Sequence, residues 1–230
     1  MARAPGIGEV SATSPEAALL LCVGAYLVGS IPVPWLLGRV KYGLDIRRFG
    51  TGNVGTSNLY RHAGFSVAAL SGPIQFAQGL LPVLLVRRAG AGESVAVIAG
   101  LIAVIGNGWP VWLGFDGGRG IAVATGAVAG VHPAGLAVLL CCYAVGALRH
   151  AIALGVFCAF AVLPIAALLL GDRTEAIGSV ALLILILWRR LTGLAHDHQT
   201  YGEWRHLFME RLLYDRRPGR PLVGQRSDTS

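Results

Sequence analysis

Charge is scarce in this sequence. Aspartate, glutamate, lysine and arginine make up 13% of its 230 residues, where an ordinary soluble domain carries about 25%. Hydrophobic residues reach 54% and the mean hydropathy is +0.63. A soluble chain of this size can bury long apolar runs, but not many in series. Here uncharged runs follow one another almost without pause, at 17–38, 62–86, 94–115, 120–148, 151–171 and 176–188. A helix needs about 20 apolar residues to cross a bilayer, and four of these runs are 21 to 25 residues long. Alternation over segments of about 10 residues, the mark of a membrane β-barrel, is missing. The sequence predicts an all-α, polytopic integral membrane protein.

Other absences narrow the reading. No basic segment precedes the first run, where Arg3 stands against Glu9 and Glu16, and Pro32 and Pro34 lie where signal cleavage would want small residues. That run is therefore read as a span. Cys22, Cys141, Cys142 and Cys158 all fall inside apolar runs, with no CxxC and no histidine at ligand spacing. They are packing residues, and neither a disulfide, a metal nor another cofactor is expected. No basic stripe interleaved with aromatics lies outside the spans, which argues against nucleic acid. The net charge of +7 comes largely from arginine. It fits contact with anionic headgroups, phosphorylated substrates, or topology alone.

The run 120–148 is about 43 Å long as a helix, long for one span and short for two. "VHPAG" near its middle, with Pro133 and Gly135, predicts a break. The positive-inside rule arbitrates. Seven spans with the first loop inside put 15 of the 19 basic residues in the cytoplasm, leaving Arg3, Arg87, Arg88 and Arg173 outside. Six spans would put only 7 inside. Seven transmembrane helices are expected, with the N-terminus out and the C-terminus in. The organisation reads as a short extracytoplasmic segment 1–16, a membrane domain 17–195 and a cytoplasmic basic tail 196–230. In that tail, 203–213 is amphipathic, with Trp204, Leu207, Phe208 and Leu212 on one face. His196, His198 and His206 have no ligand partners there and are assigned no chemistry.

This topology gathers the polar, glycine-rich sequence on the cytoplasmic face. "FGTGNVGTSNLYR" (49–61) either turns the chain or wraps backbone N–H groups and small polar side chains around an anion. Four basic residues before it, and Arg61 at its end, favour the anion. Thr51, Gly52, Asn53, Asn58 and Arg61 are its candidate ligands. "GFDGGRG" (114–120) sets Arg119 among glycines just before a helix start, so Gly117, Gly118, Arg119 and Gly120 form a second candidate anion site. A surface arginine that sets topology is the equal alternative. Asn107, inside a span, is interhelical glue or part of a site. Trp109 and Trp112 read as interfacial anchors. Arg189 and Arg190 close the last span, where snorkelling is the default and phosphate contact the alternative.

Catalytic groups are also missing. The sequence has no paired carboxylates, no Ser–His–Asp order and no acidic cluster of the CDP-alcohol phosphotransferase kind. The H-x-x-x-x-D motif of soluble-type glycerolipid acyltransferases is absent too. No covalent nucleophile or protein base is assigned. Any chemistry must need little beyond positioning of anions.

Taken together, "YLVGSIPVPWLLGRV", "DIRRFGTGNVGTSNLYR", "GLLPVLL", "GNGWPVWLGFDGGRGIAVATG" and "LILW" resemble the acyl-phosphate:glycerol-3-phosphate acyltransferases, the PlsY type, over roughly residues 26 to 190. The resemblance implies seven spans and a site at the cytoplasmic face of the cell membrane. It also implies direct attack of the glycerol-3-phosphate 1-hydroxyl on acyl phosphate to give lysophosphatidic acid, a step of phospholipid biosynthesis. Acyl phosphate, glycerol-3-phosphate and membrane lipids are then the partners. The pattern departs from the family's at Thr51 (usually serine), Arg119 (lysine), Gln75 and Gln78 (an acid and a lysine) and Asn107 (histidine). The last motif, "R-H-x-x-N-I", reads "RRLTGL", with Arg190 at the histidine and Gly193 at the asparagine. A non-catalytic or re-targeted family member that binds a phosphorylated lipid or acyl donor is the first rival reading. A small-anion transporter is the second, without internal repeats or paired broken helices to support it.

Overall fold

The computed structural model describes residues 14–192. The tail 196–230 with its expected surface helix and histidines, most of segment 1–16, and Gly193 lie outside the described residues. Among these residues nine helices are present and no strand. They are α1 (Pro15–Ser30), α2 (Val33–Tyr42), α3 (Thr56–Ala63), α4 (Phe65–Arg88), α5 (Glu93–Gly108), α6 (Ile121–Val131), α7 (Pro133–Leu148), α8 (Ile152–Leu169) and α9 (Arg173–Leu191). Two 3-10 turns, Ile46–Arg48 and Val111–Leu113, sit in the longer connections. Four helical segments are long and apolar enough to cross a membrane, namely Pro15–Tyr42, Phe65–Arg88, Glu93–Leu113 and Ile152–Leu169. Ile121–Val131 and Pro133–Leu148 are shorter apolar helices.

The breaks follow from local chemistry. Run 120–148 divides at His132, whose Nδ1 accepts the Ala134 N–H at 3.2 Å as an N-cap, with Pro133 at the first helical position. Arg87 donates to the carbonyls of Gly130 (2.7 Å) and Val131 (2.8 Å), closing the end of α6. The first run, expected as one span, also divides. Pro32 has no N–H to give, so α1 stops at Ser30. In hydrocarbon the freed carbonyls must be satisfied from within the protein. Gln78 of α4 does this, donating Nε2 to Val28 O at 2.7 Å and Ile31 O at 3.0 Å.

Side-chain size is distributed inside-out relative to a soluble protein. Leu19, Leu20, Leu85, Leu169 and Ile177 are exposed, while Ala25, Ala96, Ala99, Ala103, Ala124 and Ala127 are buried. Bulky residues face the lipid and small ones let backbones approach. The α4–α6 pair is the tightest case. Gly79 meets Val123, Gly126 meets the Phe76 carbonyl, and a Cβ on Gly130 would stand 2.8 Å from Val83 Cβ. These contacts make α4 and α6 parallel and set the first turn of α6 level with Gln75 and Phe76.

Gly126→Leu should therefore lower the thermal midpoint of the detergent-solubilised protein. Overpacking of this kind costs about 1–3 kcal/mol or more. Gly24→Leu, with nothing within 4 Å, should leave the midpoint unchanged. Equal midpoints for the two variants would contradict the α4–α6 packing.

Candidate functional site

Residues 43–58 leave α2 and build one wall. Gly43 ends α2 in the left-handed region at φ 64°. Asp45 then gathers the chain, accepting from Trp35 Nε1 (3.1 Å), Arg47 N (3.2 Å), Arg47 Nε (3.0 Å) and Arg47 Nη2 (2.8 Å). These Arg47 bonds hold the Asp45 carboxyl down at about 2. A group depressed in this way stabilises the fold above the ordinary carboxylate range and loses that contribution only as pH falls toward the lowered value. The loop's anchor thus does not titrate near neutrality. Arg47 is committed to Asp45.

Asn58 does the same for the glycine-rich stretch. Its Nδ2 serves the carbonyls of Ile46 (2.9 Å), Asn53 (3.1 Å) and Phe49 (3.2 Å), and its Oδ1 accepts the Thr51 N–H at 3.3 Å. The Thr51 hydroxyl accepts the Asn53 N–H at 3.3 Å. Expected as ligands of an anion, Asn58 and Thr51 instead turn inward, at 1% and 5% exposure. A tight loop has more carbonyls than its own N–H groups can serve, and the asparagine supplies the missing donors. Nearby His62 is held below its ordinary value by burial first and by Arg61 second.

A second wall is the loop between α5 and α6. Gly117 N donates to Gly108 O (3.2 Å) and Gly118 N to Asn107 O (2.9 Å). A Cβ on Gly118 would stand 2.8 Å from Asn107 Oδ1 and 2.9 Å from Val54 O, so only glycine passes between the two loops. The outward carbonyls are taken by Arg189, which donates Nη2 to Gly117 O at 2.8 Å and Nε to Gly118 O at 3.1 Å. Its guanidinium lies 5.1 Å from the Trp109 ring centroid. Arg189, expected to snorkel, is turned into the protein as the fastener of this loop. Trp109, expected as an interfacial anchor, covers it.

Between these walls, α4, α6, α7 and α8 border a half-open cavity of about 920 Å³. Six of the sequence-predicted residues line it: Asn53, Arg61, Asn107, Arg119, Gly120 and Arg190. Thr51, Gly52, Asn58, Gly117 and Gly118 do not; they form the loops behind the lining. The cationic groups come from three elements, with Arg61 exposed at the rim and Arg119 and Arg190 buried at 7% and 3% exposure. Arg190 Nη2 donates to Ala153 O at 3.1 Å, at the start of α8. An apolar part of the lining comes from Phe65, Ala68, Ala69, Gly72 and Phe76 of α4, Ile121 and Ala122 of α6, and Ile152, Ala153 and Val156 of α8.

Sequence reasoning missed several lining groups. These are Gln75, Thr125 and Tyr143; Thr56 and Ser57, which the sequence already offers as hydroxyl donors of the glycine-rich loop, face the cavity as well. The Thr125 hydroxyl donates to Ile121 O at 2.8 Å and stands 2.9 Å from the Tyr143 hydroxyl. A usable signal was present on α4, where Ala68, Gly72, Gln75 and Phe76 follow helical spacing and put one amide in a small-residue stripe. Among the described residues, no group of three His, Cys, Asp or Glu side chains converges to hold a metal. The arrangement can hold phosphate-like anions on guanidinium groups and a long apolar chain beside them.

Comparison with known proteins agrees with this picture. The family model described as glycerol-3-phosphate acyltransferase matches residues 19–196. A glycerol-3-phosphate acyltransferase of Ruegeria sp. is 39% identical over 172 residues, covering 74% of this chain and 84% of its own. That of Rubrobacter xylanophilus is 37% identical over 177 residues, covering 74% and 86%. Among solved structures, PlsY (YgiH), an integral membrane glycerol 3-phosphate acyltransferase in its glycerol 3-phosphate form, superposes with a TM-score of 0.71 at 29% identity, over 80% of this chain and 92% of that one. With the family pattern running through both site loops, this chain belongs to the glycerol-3-phosphate acyltransferase family.

Proposed function

We propose that the protein transfers a fatty acyl group from acyl phosphate to the 1-hydroxyl of glycerol-3-phosphate, at the cytoplasmic face of the cell membrane. The observation that carries this reading is one cavity with two chemistries. Guanidinium groups from α3, the 114–120 loop and α9 stand at its polar part, and an apolar wall from α4 and α8 continues from it. Two phosphorylated substrates, one with an acyl chain, match that division. The family supports the acceptor.

In the proposed step the hydroxyl oxygen of glycerol-3-phosphate bonds to the acyl carbon. The carbonyl electron pair moves onto oxygen, then returns as the carbon–oxygen bond to phosphate breaks. The hydroxyl proton leaves with the phosphate, so the products are the acyl ester and hydrogen phosphate. No protein base is required, because the leaving group can take the proton. Arg61, Arg119 and Arg190 hold the phosphoryl groups, and their contribution is orientation and charge stabilisation.

We also read seven spans, with α1 and α2 together forming the first and the N-terminus outside. With α1 and α2 taken as one and the short α3 left out, α4 to α9 bring the helical segments to seven, which supports this count. The domain division of the sequence analysis, a membrane domain 17–195 followed by a basic tail, goes with it. The re-targeted reading stays as the rival, favoured by arginine at position 190 and glycine at 193 in place of the family's histidine and asparagine.

Three measurements test the proposal. Purified protein with palmitoyl phosphate and labelled glycerol-3-phosphate should form labelled lysophosphatidic acid, with little product from palmitoyl-CoA and no loss on adding EDTA. Binding without turnover would favour the rival, and turnover that vanishes in EDTA and returns with Mg²⁺ would refute the step as written.

Arg61→Ala should raise the KM for glycerol-3-phosphate at least tenfold, since a hydrogen bond to a charged group is worth about 1.5–3 kcal/mol. Arg119→Lys should keep part of the activity. If Arg61→Ala titrates like the parent, the loop only turns the chain.

Topology is checked by single cysteines in a cysteine-free background. Ser57→Cys and Asp116→Cys should react only from the cytoplasm, and Ser94→Cys only from outside. Outside labelling at Asp116→Cys would overturn the seven-span count.

A further inference from the structure

Gln75 is the one polar side chain that α4 presents to the cavity. Its lining neighbours on that helix are Phe65, Ala68, Ala69, Gly72 and Phe76. It is 3% exposed, and its carboxamide is clamped. The Thr56 hydroxyl donates to Gln75 Oε1 at 2.7 Å, and Ser71 Oγ lies 2.8 Å from Thr56 Oγ1. With the Thr56 hydrogen given to Gln75, the Ser71 hydroxyl is the donor of that second bond, so both hydroxyls are committed. The carboxamide oxygen is thereby fixed toward α3. The Nε2 amino group makes no hydrogen bond to the described residues, and it is what Gln75 offers to the cavity.

The register of α4 against α6 places this amide level with the first turn of α6. Gly120 precedes that turn at φ 72°, and no side chain caps it. Gly120, Ile121 and Ala122 all line the cavity. A buried amide with an uncommitted donor therefore stands across from an uncapped helix start, where backbone N–H groups are also available.

We infer that Gln75 Nε2 donates a hydrogen bond to the acyl carbonyl oxygen, in concert with the first-turn N–H groups of α6, and is a catalytic residue of the transfer. The inference rests on the acyl-transfer reading above. Its physical basis is a sorting of ligands. A phosphate dianion is best met by guanidinium groups, and these are supplied from α3, the 114–120 loop and α9, not from α4. The α4 wall is otherwise apolar and suits the hydrocarbon chain. The carbonyl is the atom group that joins chain to phosphate, so it falls at the one amide of that wall. A neutral donor suits an oxygen that becomes negative only as the hydroxyl adds. It assists the transition state more than the ground state. No atom of Gln75 forms or loses a covalent bond, and the proton balance of the step is unchanged.

Removing one donor of this kind typically lowers kcat about 10²- to 10³-fold. Gln75→Leu removes both the clamp and the donor. Gln75→Glu keeps an oxygen to accept from Thr56 and replaces the amino group by a second oxygen. Both should lower kcat with palmitoyl phosphate about 100-fold or more, with KM for glycerol-3-phosphate within about threefold of the parent. A purely structural pin between α3 and α4 predicts a different pattern: Gln75→Glu near the parent, and Gln75→Leu with a lowered thermal midpoint and a raised KM. Parental kcat in Gln75→Glu, or losses confined to KM, overturn the inference and leave the acyl-transfer reading standing. Absence of turnover in the parent itself overturns that reading, and this inference with it.

Discussion

Backbone that leaves a helix and is buried in the protein must find partners for its N–H and C=O groups within the protein. The 114–120 loop is the place where this protein meets that requirement under most strain of numbers. It returns beside the end of α5 with successive glycines, which bring carbonyls and no side chains to serve them. The backbone of Asn107 and Gly108 takes the N–H groups, and the single guanidinium of Arg189 takes the carbonyls of Gly117 and Gly118. Hydrogen bonds from a charged donor are worth about 1.5–3 kcal/mol each, so one side chain of α9 closes a loop that belongs to α5 and α6. Everything the cavity needs from this region follows from that closure. Arg119 is delivered to the lining, α6 starts uncapped, and Val54 of the other loop packs against Gly118.

The same accounting explains what the sequence made legible. Hydropathy and charge reveal apolar helices because lipid tolerates little else, and Pro133 after His132 marks a break that the local N-cap chemistry enforces. The division of the first run at Pro32 was not legible, since proline is often accommodated within a membrane helix. What decides it is a partner 47 positions away, with Gln78 serving the carbonyl of Ile31. Long-range satisfaction of that kind leaves no local trace.

The site was legible to about the level of the loop and no finer. Composition identified 49–61 and 114–120 as polar, glycine-rich and basic, and both flank the cavity. It could not say which polar side chains face the ligand. Residues such as Thr51 and Asn58 have the chemistry of ligands and of loop organisers alike, and the carbonyls of Ile46, Phe49 and Asn53 claim Asn58 first. Gln75 and Tyr143 carry the opposite difficulty. Each is one polar residue in a long apolar run, and such a residue is interhelical glue or site according to which face of its helix it occupies.

Arginine at position 190 bears on how the proposed step can proceed. A histidine there could exchange a proton near neutrality, whereas guanidinium stays charged throughout the accessible range. Arg190 is tied to Ala153 O, at the point where α8 begins. It can hold an anion but cannot relay a proton. The described lining offers no carboxylate, imidazole or thiol as a replacement. On the proposed reaction, proton transfer then passes entirely to the substrates, from the acceptor hydroxyl to the departing phosphate. The protein's share is to hold two like-charged groups within bonding distance. On that proposal three guanidinium groups on three separate elements offset the repulsion, and the loops and glycine contacts that fix those elements relative to one another are the means by which the fold would serve the chemistry.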